Sequence, residues 1–327
     1  MKAAVRVAPK TIELEEWAPP EEEPTKVPVH IAYAGICGGD LMYFRHQGPV
    51  HAQSDAYVVC HEAVGHTLDG RRVVIDPLLA CGTCAACLAG EEQWCPSRRD
   101  MGYSAHGVAR EVVAMAPDRI HPVPDALSDT AATLAHGLAA VMHALDKVST
   151  GPDTEAVVLG PGPAGMFFAL QLRANGANVT LVGRESPRLA LARSLGLSVV
   201  SLQTADAAWR NLAGEFDVAI ETTGSSSIQA QAPTVLRTGG VLLLYAPGEF
   251  NLDANVVFRR ELQIVGSTGA TGKIPAALSA IADRVAEFDA LVSHVFPFDR
   301  VQEAFTQAIA PPDERGDFMK ALIAVEP

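Results

Sequence analysis

The sequence predicts an α/β protein, with a doubly wound parallel sheet inserted into a mostly β domain. Three observations predict it. From Ala156 to Thr268 short apolar strands alternate with helices, the pattern of a parallel sheet covered on both faces. The first of these strands runs into a glycine-rich turn, Gly160-Pro161-Gly162-Pro163-Ala164-Gly165. Before about residue 125 the texture differs: short β segments are broken by Gly and Pro, and four of the six cysteines crowd into one stretch.

In chain order, Val27 to Ala34, Arg71 to Ile75 and Val108 to Ala114 read as strands of the first region. Ser128 is placed to cap a helix running to about Lys147. Val157-Val158-Leu159 is a buried strand and Gly165 to Asn175 a helix. Val179 to Val182 is the next strand and Pro187 to Leu195 the next helix. Asp217 to Glu221, Val241 to Tyr245 and Gln263 to Val265 complete the sheet. The tail adds a helix over Ile274 to Phe288, an extended His294 to Phe298, a helix over Val301 to Ala308 and a last strand, Met319 to Val325. This gives a catalytic domain at 1–137, with a cysteine lobe at about 77–98, a nucleotide-binding domain at 138–271, and a return to the first domain at 272–327.

Composition narrows the function. The 327 residues carry a net charge of -13, which argues against nucleic-acid or anionic-membrane surfaces. No apolar run approaches the roughly 18 residues of a membrane span. The N-terminus lacks the basic-then-apolar layout of a signal peptide, so a cytoplasmic location is expected. In a reducing compartment, clustered cysteines suggest a metal and not disulfides.

The glycine turn fits G-x-G-x-x-G in its required context, between a strand and a helix. The first glycine makes the turn, the second admits a pyrophosphate, and the third lets helix and strand pack. The phosphates then face a helix N-terminus. This is the Rossmann pattern, and it calls for a nicotinamide dinucleotide. Where an NAD-binding fold places an acidic residue for the ribose 2′-hydroxyl, the second strand ends Gly183-Arg184. Arg184 suits a 2′-phosphate, so NADP(H) is expected over NAD(H), with Glu185 as a competing carboxylate. Arg188, Thr223, Tyr245, Ala246, Ser267 and Lys320 join the turn residues as expected cofactor contacts.

Cys81-x2-Cys84-x2-Cys87-x7-Cys95 is the most specific motif. Four thiolates this close can enclose one tetrahedral Zn²⁺ with no open position, which makes the site structural. An iron–sulfur cluster is the competing use.

Upstream stand Gly35-Ile36-Cys37-Gly38-Gly39-Asp40 and Cys60-His61-Glu62-Ala63-Val64-Gly65. In this order with the cysteine lobe and the glycine turn, they make the chain resemble the zinc-dependent medium-chain dehydrogenases. Within that family it is most similar to the sorbitol- and idonate-like polyol branch. The resemblance covers essentially the whole chain and implies a GroES-like catalytic domain. It implies a second, catalytic zinc on Cys37 and His61, with Glu62 as the neighbouring carboxylate and Asp40 orienting the histidine. Alignment puts His136 where relatives carry Cys or Glu as third ligand, so Cys37, His61 and His136 are the expected catalytic set, with Glu62 the competing third ligand.

Other departures accompany it. The family's Ser or Thr two residues after the first ligand is Gly39, and a relay histidine is replaced by Met42. The hydroxyl that passes the alcohol proton to solvent is therefore missing, and Tyr43, His46, His51 or a water are the substitutes considered. Cys60 replaces a glycine and is expected to fill a core gap. The implied reaction interconverts a secondary alcohol, polyol- or cyclitol-like, with its ketone. The alternatives are reduction of an activated alkene and a cofactor-binding relative without turnover. A homodimer or homotetramer is implied, pairing through the last sheet strand near Val241 to Tyr245.

Overall fold

The computed structural model describes residues 1–45, 56–202, 205–311 and 313–326, with backbone alone for 205–208. His46 and His51 lie outside the described residues. The chain divides into two units, Met1–Ala139 with Ala270–Pro327, and Ala140–Gly269.

The first unit is mostly β. Its main sheet runs in the order Ile120–Pro122, Arg72–Ile75, Glu62–Thr67, Val27–Gly35, Lys320–Ala324, Val292–Pro297, and Val112–Met115 also pairs with Val27–Gly35. Lys2–Ala8 is the centre of a three-stranded sheet between Thr11–Glu16 and Tyr57–Val58. Pairing register positions the chemistry. Gly35 lies opposite Glu62 on one side and Leu322 on the other. The C-terminal strand therefore brings Lys320 to the same end of the sheet as Cys37 and Glu62. A core that includes Val29, Ile31, Val59, Phe44 and Phe305 holds these strands, with the two phenyl rings 5.2 Å apart. Each such side chain contributes about 1.5–3 kcal/mol on burial.

The second unit is a six-stranded parallel sheet of β1 (Glu155–Leu159), β2 (Asn178–Gly183), β3 (Ser198–Ser201), β4 (Phe216–Glu221), β5 (Leu236–Leu244) and β6 (Gln263–Gly266). The order is β3-β2-β1-β4-β5-β6, the dinucleotide-binding arrangement in which ligands meet the carboxyl ends of the strands. Helices Pro163–Ala174 and Pro187–Ser194 follow β1 and β2, both with proline in the first turn, where its missing N–H costs nothing.

Several elements differ from expectation. The helix expected from Ser128 is two, Asp129–Ala132 and Ala135–Leu145, although Ser128 does cap the first, accepting from the Ala131 N–H. The helix expected over 274–288 is also two, Ile274–Ala282 and Val285–Asp289, because Arg284 leaves helical geometry at φ -140°. The strand expected at Val108 begins at Val112. Lys2–Ala8 and Thr11–Glu16 were not anticipated. Val241 to Tyr245 is not the sheet edge; that place belongs to β6, whose residues are mostly exposed.

Candidate active site

Cys37 ends the turn after the central strand Val27–Gly35, immediately before the helix Gly38–Arg45. Glu62 begins the neighbouring strand and His61 immediately precedes it. These positions bring Cys37 Sγ to 3.4 Å from His61 Nε2. Metal-to-ligand distances of about 2.3 Å to sulfur and 2.0–2.1 Å to nitrogen, at a tetrahedral angle, put S and N about 3.5 Å apart. The pair is thus already spaced for one zinc ion. On its other side His61 Nδ1 lies 3.2 Å from Asp40 Oδ1. A carboxylate can only accept, so Nδ1 carries the proton and Nε2 presents its lone pair towards Cys37. Asp40 also accepts from the Cys37 N–H at 2.9 Å. Burial pushes its pKa up, but the hydrogen bonds from His61 and from the Cys37 N–H outweigh burial and leave it below the usual carboxylate value. Asp40 thus holds the Cys37 backbone and the His61 ring at once.

Cys37, His61 and Glu62 offer ligand atoms that all lie within 4.8 Å of one another. His136 is not in that group. The carboxylate next to the histidine, and not His136, completes the converging set, because the strand pairing that seats His61 carries Glu62 with it. The His136 ring stands edge-on to His61 with centroids 5.1 Å apart, and its Nδ1 is buried with no hydrogen-bond partner. Burial first, and the facing His61 second, hold His136 well below the usual imidazole pKa, so it is neutral. Glu62 Oε2 accepts from Lys320 Nζ, and both side chains are almost fully buried. Lys320, expected at the cofactor, is instead the counter-ion of Glu62. Burial works against its charge, but Glu62 and then Cys37 raise its pKa.

Tyr103 is the residue that sequence reasoning missed. Its hydroxyl lies 3.3 Å from Cys37 Sγ and 3.3 Å from His61 Nε2. It stands 66 residues from Cys37 in a stretch with no motif, so no local signal pointed to it. Tyr43, one of the expected substitutes, packs its ring against that of Tyr103 at 5.0 Å. Cys60 is fully buried among apolar side chains and is absent from the metal-ligand group.

In the lobe, Sγ atoms of Cys81 and Cys87 are 3.9 Å apart, Cys84 and Cys87 3.5 Å, and Cys81 and Cys95 3.6 Å. A disulfide requires about 2.05 Å, whereas four sulfurs around one zinc sit about 3.8 Å apart. The N–H groups of Thr83 and Cys84 hold the Cys81 thiol down to about 6, so it is available as thiolate. The donor set and spacing fit a closed zinc site.

In the second unit the expected cofactor residues gather at the carboxyl ends of the strands. Gly160 to Gly165 follow β1. A Cβ on Gly165 would lie 1.8 Å from the Gly160 carbonyl oxygen, so the helix can start this close to the strand only with glycine there. Arg188 Nη1 approaches Gly162. Gly183 closes β2, and a Cβ on it would meet Pro161 Cδ at 2.5 Å. An acidic residue is thus excluded sterically as well as absent. Glu185 makes a two-pronged ion pair with Arg193, at 2.7 and 2.8 Å, which first of all its contacts holds its pKa down to about 2. Arg184 beside it is exposed. Thr223 follows β4, held by Glu221. Tyr245 and Ala246 follow β5, and Ser267, its hydroxyl buried without a partner, follows β6.

Two family models match the chain: the alcohol dehydrogenase GroES-like domain over residues 23–125 and the zinc-binding dehydrogenase over 163–283. The chain is 32% identical over 255 residues to D-altritol 5-dehydrogenase of Agrobacterium fabrum, an alignment spanning 74% of each. The chain belongs to the zinc-type medium-chain polyol dehydrogenase family. It is accordingly a zinc-dependent enzyme that uses a nicotinamide cofactor. Two solved structures share the fold. One is a protein of Sinorhizobium meliloti described as a zinc-binding dehydrogenase and bound to NADP, with TM-score 0.88, 22% identity, and 99% of this chain and 98% of that one covered. The other is an alcohol dehydrogenase of Escherichia coli CFT073 with NADH, with TM-score 0.89, 21% identity and 99% of both chains covered. Enzyme status replaces the expectation's alternative of a relative without turnover.

Proposed function

We propose that the enzyme is an NADP(H)-dependent dehydrogenase that interconverts a secondary alcohol of a polyol- or cyclitol-like substrate with its ketone. The observation that carries this reading is the convergence of Cys37, His61 and Glu62 beside the Tyr103 hydroxyl. Cys37, His61 and Glu62 would hold one catalytic zinc, and Cys81, Cys84, Cys87 and Cys95 a second, structural ion. When bound, the catalytic ion polarises a carbonyl or stabilises an alkoxide. Asp40 keeps His61 in the tautomer that can serve as ligand, and Lys320 balances the buried charge of Glu62. His136 serves as a neutral wall behind His61 and not as a ligand.

The cofactor would lie along the strand ends of the second unit, with its pyrophosphate on the N-terminus of helix Pro163–Ala174. Arg184 would receive the 2′-phosphate, since Glu185 is tied to Arg193 and position 183 carries no carboxylate. The polyol class rests on the altritol-oxidising relative. We further place the enzyme in the cytoplasm, where free clustered thiols persist. No helix among the described residues is long and apolar enough to cross a membrane. Pairing into a homodimer would use the exposed edge β6, where Ile264 is 37% exposed.

Following NADPH oxidation with a panel of ketoses and enones, and NADP⁺ reduction with polyols, tests the reaction. Ketose reduction without enone reduction is expected, and turnover of enones alone would overturn it. Zinc analysis of Glu62→Gln and His136→Ala tests the ligand set. Loss of one zinc in the first and retention of both in the second are expected. The reverse result restores His136 as the ligand.

A further inference from the structure

Gly39 and Tyr103 share one space. A Cβ built on Gly39 would lie 2.3 Å from the Tyr103 hydroxyl oxygen and 3.0 Å from its Cζ. No side chain fits at position 39 while the tyrosine is in place. Conversely, the absence of a side chain at Gly39 is what lets the phenol reach Cys37 and His61. The Tyr103 oxygen, Cys37 Sγ and His61 Nε2 form a triangle with sides of 3.3, 3.3 and 3.4 Å. By the spacing of about 3.5 Å between two donors on one zinc, the hydroxyl stands at the open position where a substrate oxygen would bind, and it would be displaced onto that oxygen as a hydrogen-bond partner.

We propose that Tyr103 is a catalytic residue whose hydroxyl, entering from the turn after strand Arg99–Asp100 through the space left by Gly39, relays the substrate's hydroxyl proton. This rests on the dehydrogenase reading above. In the oxidation direction the alcohol O–H bond breaks as its proton passes to the Tyr103 oxygen, and the proton of Tyr103 passes to water. The carbinol C–H bond breaks with its electron pair, and hydride moves to NADP⁺, giving ketone, NADPH and one released proton. In reduction the sequence reverses, and water reprotonates Tyr103. No charge accumulates on the phenol, because it gains one proton as it gives up another. Tyr103 is partly exposed, and on this proposal its hydroxyl exchanges protons with water. The ring of Tyr43, 5.0 Å away, braces it.

The test uses zinc-loaded full-length enzyme as parent, Tyr103→Phe, Gly39→Ser, and the double variant. Three quantities are read on each: zinc content, thermal midpoint, and the affinity of the zinc- and NADP⁺-loaded protein for 2,2,2-trifluoroethanol by calorimetry. Turnover of the preferred alcohol is the fourth. Gly39→Ser alone should melt lower, since its Cβ collides with the phenol, and adding Tyr103→Phe should relieve that loss by removing the nearest atom. Tyr103→Phe should keep both zinc ions, bind trifluoroethanol about tenfold more weakly, and lose about a hundredfold in kcat. The double variant, with a hydroxyl restored from the other side, should recover most of both. Unchanged affinity and kcat in zinc-replete Tyr103→Phe overturns the proposal. So does loss of zinc from that variant, which would make the residue a metal-site prop. If the parent oxidises no alcohol, the dehydrogenase reading fails, and the trifluoroethanol affinities still decide the role of Tyr103.

Discussion

Replacing Lys320 with methionine isolates the buried pair at the centre of the site. Lys320 and Glu62 are 2% and 3% exposed, so neither charge has water to fall back on. Removing one partner of such a pair costs about 3–5 kcal/mol, because the other charge is left buried and alone. For a unit of this size each kcal/mol lowers the melting point by about 2–4 °C, so zinc-depleted Lys320→Met should melt roughly 6–20 °C below zinc-depleted parent. The two should differ much less when loaded with zinc, because Glu62 then has a cation to bind. Differential scanning calorimetry on both forms, with dialysis against a mild chelator between them, reads the comparison. A zinc-induced rise in melting point larger in the variant than in the parent is the expected signature. If zinc raises both by the same amount, Glu62 is not a ligand and the reasoning fails.

Other perturbations follow from the same geometry. Cys84→Ser should remove one of two zinc ions and lower thermal stability while the second ion stays bound; metal analysis that finds no lobe zinc in active parent would refute the assignment. Arg184→Ala should weaken NADPH by about ten- to a hundredfold, the value of a charge-assisted hydrogen bond of about 1.5–3 kcal/mol, and leave NADH unchanged; equal losses for both cofactors would refute it. Gly183→Asp should not create an NAD enzyme but should disrupt the turn, since Pro161 occupies the space of its Cβ; a well-folded variant with sound NADH binding would show otherwise. Ile264→Lys places a charge on the open edge β6 and should yield monomers in light scattering; an unchanged mass would move the interface elsewhere.

What the sequence made legible was whatever is encoded within a few residues. The glycine turn, the four-cysteine lobe, and Cys37, Asp40 and His61 are short spacings whose chemistry dictates them, and the alternation of strand and helix sets the sheet. What stayed hidden is long-range. Nothing local reveals that strand Lys320–Ala324 lies beside Val27–Gly35, the neighbourhood in which Lys320 meets Glu62. Glu62 joins Cys37 and His61 in the converging group and His136 does not, a difference of distance that a position in the sequence does not carry. Glu185 looked available for a ribose until Arg193, eight residues on, was seen to hold it. The helix breaks at Thr133 and Arg284 carry no glycine or proline and were not visible as pattern.

The charges around Cys37 form a system that no single substitution in the alignment conveys. Two carboxylates approach the ligand set, and each is committed elsewhere by its remaining oxygen or its neighbour. Asp40 is spent on the Cys37 N–H and His61 Nδ1, and Glu62 on Lys320. A carboxylate that shares an oxygen with an ammonium group donates less electron density than a free one, so as a ligand Glu62 would be a weaker anionic donor than its formal charge suggests. The neutral His136 behind His61 adds no further negative charge. The proposed donor set would therefore be less electron-rich than one of two free anions and an imidazole, and a zinc ion held by it would favour the alkoxide form of a bound alcohol. A site tuned in this way depends less on a strong base to remove the alcohol proton. A neutral phenol that relays a proton without holding charge, as Tyr103 is placed to do, is the kind of partner such a site can use.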